Sequence, residues 1–152
     1  MQHILDQRIM DKHPELKGQD NIEWKVLALQ VELGECANEW RAFKKWSNDQ
    51  KPRTEKMLEE YVDCLHFVLS LGIEKGFVQS YSIYTMKTIT ASFIYLNKVL
   101  SDFYNNPSHG NYGRIIMVFL GLGKLLGFTW DEIEQAYFKK NEVNHKRQDS
   151  GY

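Results

Sequence analysis

Proline is nearly missing from the chain, with three in 152 residues. Pro14, Pro52 and Pro107 each fall in a polar break, so nothing between the breaks removes a helical hydrogen bond. Cysteine is scarcer still. Cys36 and Cys64 stand alone without CxxC spacing, which excludes a zinc ribbon and a disulfide framework and suits free thiols in a reducing cytosol. Neither sign of charge dominates, with 19 Lys and Arg against 20 Asp and Glu, so the basic excess of a general nucleic-acid binder is lacking. The longest apolar run, 115–123, stops at Lys124, well short of the ~20 residues that span a bilayer. The opening MQHILDQRIMDKH carries charge throughout and holds no apolar signal core. Strand-type alternation, internal repeats and low-complexity tracts are absent. The patch Gly121-Leu122-Gly123-Lys124 has neither phosphate-loop spacing nor a preceding strand, and reads as close helix packing.

What is present is apolar and aromatic. Hydrophobic residues make up 43% of the chain and aromatics 13%, too much for disorder and enough for a packed core. A single domain of this length buries roughly 70% of its unfolded surface. Asp20 with Glu23 forms a capping box for a helix over about 21–47, and Thr54 caps a second that runs to about 74, with Gly76 at its left-handed end. From 79 to 104, Ile83, Met86, Ile89, Phe93, Leu96, Leu100 and Phe103 recur at steps of three or four, a one-sided helical stripe. A fifth helix spans about 112–126 and stops at Gly127, and Thr129 with Glu132 opens the last. The expected fold is all-α: one domain, a bundle of five or six helices.

Charge is distributed unevenly. Glu32, Glu35 and Glu39 step by three and four along the first long helix, and Glu60 and Asp63 repeat the three-residue step on the second. At about 100° per residue each set shares a narrow arc. Most charged helix faces are simply solvated. Here the acids are all of one sign and repel, and their arcs continue into Ala28, Met57 and Phe67. Such a cluster calls for a cation, and an all-oxygen site suits Mg²⁺ first. On the final helix Tyr137, Lys140, Asn144 and Arg147 share a stripe. Alone, cations near a helix C-terminus are ordinary macrodipole partners; beside a carboxylate–metal cluster they can bind polyphosphate oxygens.

The run Glu32-Leu-Gly-Glu35-Cys-Ala-Asn-Glu39-Trp40, with Phe43-Lys-Lys-Trp46-Ser47, Glu60-Tyr-Val-Asp63-Cys-Leu-His66-Phe67 and the closing segment 139–152, resembles the dimeric, all-α dUTP pyrophosphatases of the wider MazG-type superfamily. The resemblance covers most of the chain. It implies a cytoplasmic homodimer and Mg²⁺-dependent cleavage of dUTP, and of dUDP as well, with Mn²⁺ as a substitute ion. No nucleic acid or membrane is an expected partner. Position by position it makes Glu32, Glu35, Glu60 and Asp63 metal ligands, with Glu35, together with Glu32, in the catalytic role of orienting or deprotonating water. Lys140, Asn144 and Arg147 would grip phosphate or ribose, with Lys139 and Tyr152 as further candidates. Trp46 would line the uracil pocket, Gln7 would read the base edge, and His66 and Phe67 would pack on the deoxyribose. Without such roles Trp46, His66 and Phe67 are core or interface residues and Gln7 an exposed one.

Three alternatives compete. The nearest is a related pyrophosphohydrolase acting on dCTP or a damaged purine triphosphate, since the acids would serve each equally. A di-iron bundle would use Asp63-x-x-His66 and Glu142-x-x-His145, but gives the basic stripe no purpose. A non-enzymatic interaction module would use the acidic face for contact alone.

Overall fold

The computed structural model describes residues 1–77 and 79–151. These form α1 (Gln2–Lys12), a short 3₁₀ turn at Pro14–Leu16, α2 (Ile22–Trp40), α3 (Thr54–Glu74), α4 (Ile89–Asn105), α5 (His109–Leu126) and α6 (Trp130–Ser150), with no strand among the described residues. The all-α bundle expected from the spacing is what the chain forms. Helices α2 and α3 share the largest interface, α4 packs on α5, and α1 and α6 close over α3. One continuous core joins Leu29 and Leu33 of α2, Val62 and Val68 of α3, Leu100 of α4 and Phe119 of α5, all at most 1% exposed. Each such side chain stabilises the fold by roughly 1.5–3 kcal/mol relative to exposure. Among the described residues no single helix is long and apolar enough to cross a membrane.

Five boundaries depart from the expected ones. Helix α2 ends at Trp40, not near 47, because Arg41 adopts a left-handed φ of 65° and donates its N–H to Ala37 O. A non-glycine residue there costs on the order of 1–2 kcal/mol, offset by two guanidinium hydrogen bonds to Asp49 O at 2.8 and 3.2 Å. Phe43 and Trp46 merely continue the apolar spacing past that break. The Asp20–Glu23 capping box does not form: Asn21 is the cap residue, and the Glu74 carboxylate of α3 accepts its N–H at 2.9 Å. Asp20 Oδ1 still accepts the Ile22 N–H at 3.0 Å, and the distant Glu74 takes the place expected of Glu23. Thr54 is the first helical residue of α3, not its cap.

The stripe over 79–104 is helical only from Ile89, where the Thr88 hydroxyl accepts the Ala91 N–H. Residues 79–88 instead run as an irregular strap across α5, with Tyr84 N–H donating to Met117 O at 3.0 Å. Gly121 permits that crossing, since a Cβ there would lie 2.0 Å from Tyr84 O. Gly123 similarly accommodates the Tyr61 hydroxyl of α3, so the glycine pair serves packing. Other local signals match the structure: Gly76 and Gly127 take φ of 70° and 90°, and Thr129 with Glu132 forms its capping box. Helix α5 begins three residues earlier than expected because Ser108 caps it.

Candidate active site

The packing of α2 on α3 turns the two acidic arcs toward each other. Glu32, Glu60 and Asp63, all half-buried, each place a carboxylate oxygen within 4.8 Å of the other two. Three carboxylates so close resist ionisation. Glu32 is pushed up to about 7, first by burial and then by Asp63, Glu35 and Glu60. Glu60 rises for the same reasons, burial first. Burial also raises Asp63, against the opposing pull of Lys140 and Arg147. The donor set is all-oxygen, anionic and partly shielded, which fits a hard divalent cation.

Glu35 is exposed and stands outside that triad, yet its charge reaches both Glu32 and Glu60. Glu39 points elsewhere, toward the Arg53 guanidinium at 3.4 Å. From α6, Lys140 donates from Nζ to Asp63 Oδ2 at 2.5 Å, with both side chains mostly buried. Among the described residues no histidine joins the acidic group, and Glu142 of the di-iron reading is exposed.

Beside the triad opens a cleft of about 400 Å³ between α1, α2, α3 and α6. Glu32, Asp63, Lys140, Asn144 and Arg147 line it together with His66 and Phe67. Thus seven of the residues singled out from the sequence meet in one cavity. Others do not. Trp46 lies on the loop after α2, 78% exposed and edge-on to Phe43 at 6.0 Å. Gln7 sits on the exposed face of α1 and donates to Asp11 at 3.1 Å. Lys139 lines a separate groove with Glu55 and Glu59. Tyr152 lies outside the described residues.

Several lining residues escaped sequence reasoning, chiefly Gln2, Asp6, Lys25 and Gln148. Gln2 and Asp6 share a helical i,i+4 relation and bond at 2.7 Å, a spacing legible in the sequence but unremarkable there. Gln148 follows Asn144 by one turn on the basic stripe. Lys25 is 3% exposed and paired with Glu74. Burial raises the Asp6 carboxyl, while hydrogen bonds from Gln2 and Ser70 pull the other way. His66 is 5% exposed, stacks on Tyr137 at a ring separation of 4.3 Å, and is lowered to about 4 by burial. The cleft is therefore acidic at its metal-fitting edge, basic along α6, and neutral around His66.

The whole chain, residues 1–152, matches the family model described as dUTPase. No curated protein matches it.

Proposed function

Because the chain belongs to the dUTPase family and is an enzyme of dUTP hydrolysis, we propose that it cleaves dUTP, and dUDP as well, in the α1–α2–α3–α6 cleft with Mg²⁺ held by Glu32, Glu60 and Asp63. The observation that carries this reading is the convergence of three carboxylate oxygens within 4.8 Å beside a cleft lined by Lys140, Asn144 and Arg147. Held by these carboxylates, Mg²⁺, or Mn²⁺ in its place, would supply Lewis-acid charge for the triphosphate and for activating water near neutral pH.

The protein groups do the remaining work. Glu35, exposed outside the triad, would serve as a further ligand and would orient the attacking water or take its proton. The water oxygen bonds to the α-phosphorus, the bond to the bridging oxygen of the β-phosphate breaks, and dUMP and pyrophosphate leave. Lys140, Asn144 and Arg147 hold phosphate or ribose oxygens through the reaction. His66 and Phe67 face the deoxyribose. Trp46 and Gln7, outside the cleft of their own chain, are available to a neighbouring subunit's uracil. A homodimer is supported by apolar side chains left uncovered on α2 and α4, with Leu27, Val31 and Ile94 more than half exposed. The two buried free thiols, Cys36 and Cys64, suit a reducing cytoplasm.

The test is a panel of nucleoside di- and triphosphates with and without Mg²⁺, scoring pyrophosphate against orthophosphate. The expected result is Mg²⁺-dependent pyrophosphate release from dUTP. Equal or faster turnover of dCTP or a damaged purine triphosphate would transfer the assignment to another base, and metal-independent turnover would remove the triad from the mechanism.

A further inference from the structure

Gln2 joins α1 to the two helices behind the cleft. Its side chain is 7% exposed. The amide nitrogen donates to Asp6 Oδ1 at 2.7 Å. The carbonyl oxygen accepts from the Tyr137 hydroxyl at 2.9 Å and lies 2.7 Å from His66 Nδ1. Asp6 Oδ1 accepts from the amide nitrogen, and that contact fixes which end of the amide faces the carboxyl group. The oxygen end is thereby turned to His66 and Tyr137. An amide oxygen has no proton to give, so the proton between Gln2 and His66 sits on Nδ1.

A neutral imidazole carries one N–H, which leaves a lone pair on Nε2. That nitrogen is buried and has no hydrogen-bond partner among the described residues, and His66 lines the cleft. Stacking on Tyr137 at 4.3 Å holds the ring in its plane.

We propose that Gln2 is a positioning residue that locks His66 in the Nδ1–H tautomer, so that Nε2 presents a fixed acceptor to a hydrogen-bond donor of the nucleotide. This rests on the reading that the cleft holds dUTP. Two donors of that substrate qualify, the uracil N3–H and the 3′-hydroxyl. A locked tautomer gives discrimination that a freely exchanging one lacks, since a ligand offering an acceptor at the same point meets a second lone pair.

The experiment uses the full chain labelled with ¹⁵N at histidine, with long-range ¹H–¹⁵N spectra reading the His66 tautomer directly. The unliganded protein is expected to show Nδ1 protonated and Nε2 bare at neutral pH. Gln2→Met, which keeps the bulk and removes the lock, is expected to mix the tautomers and raise KM for dUTP about tenfold with little change in kcat. Tyr137→Phe takes a donor from the same carbonyl but spares the lock, and is expected to keep both tautomer and KM. Between N3-methyl-dUTP and 2′,3′-dideoxy-UTP, the analogue lacking the donor read by His66 binds weakly and is indifferent to Gln2→Met.

The inference is overturned by an Nε2–H or charged His66 in the parent protein. It is equally overturned if both variants raise KM alike in step with lost thermal stability, or if both analogues bind like dUTP. Absence of dUTP turnover in the parent protein defeats the proposed function and the nucleotide's part in this inference, whereas the spectrum of unliganded protein decides the lock separately.

Discussion

The ammonium of Lys140 stands 2.5 Å from the Asp63 carboxylate, so a side chain from α6 supplies positive charge to an acidic triad built by α2 and α3. A divalent ion entering the triad competes with that ammonium for Asp63. Lys140→Met is therefore expected to tighten Mn²⁺ binding about tenfold in the absence of nucleotide, while weakening dUTP binding through loss of the proposed phosphate contact. Titration of free Mn²⁺ by electron paramagnetic resonance reads the first effect. Weaker Mn²⁺ binding in the variant would mean that Lys140 orients Asp63 for the metal instead.

Glu35→Gln and Asp63→Asn keep side-chain volume and remove charge. Each is expected to lower turnover at saturating Mg²⁺ by about 10²–10⁴-fold with the helical circular dichroism unchanged. Near-normal turnover by either variant would contradict the assignment.

The elevated Glu32 makes a signed pH prediction. Its carboxyl rises from 4.5 to about 7 on folding, so between those values the native state binds more protons than the unfolded one. Its contribution to stability accordingly falls as pH climbs through that window. His66 acts oppositely, because its value drops from 6.5 to about 4 and neutral burial is favoured as pH rises. The difference in melting temperature between the parent protein and Glu32→Gln isolates the first effect. Without metal that difference is expected to shift toward the variant from pH 4.5 to 7, and added Mg²⁺ should cancel the trend in the parent protein.

Trp46 is 78% exposed, so Trp46→Ala removes little packing and is expected to change thermal stability by only a few tenths of a kcal/mol. A rise in KM for dUTP with unchanged melting would place the indole at the substrate. A large loss of stability with KM unchanged would make it structural.

Gly121→Ala tests the strap. The added Cβ would meet Tyr84 O at 2.0 Å, and backbone cannot rotate aside as a side chain can. A destabilisation of about 1–3 kcal/mol in urea unfolding is expected, against a few tenths for Gly110→Ala, where the Cβ meets open space.

The residue order by itself determined the helical class, the starts and stops at Thr129, Gly76 and Gly127, and the existence of two acidic arcs and one basic stripe. Those features depend on neighbours within four or five positions, which is the range over which helical period and capping act. Only tertiary structure decided that the arcs face each other, that Lys140 reaches Asp63, and that Gln2 and His66 share one buried network. It also overrode local signals, supplying Glu74 where a capping box was expected and laying 79–88 across Gly121 where the apolar spacing suggested a helix. Contacts between residues from about thirty to more than a hundred positions apart depend on how whole helices pack, and no short-range pattern carries that information.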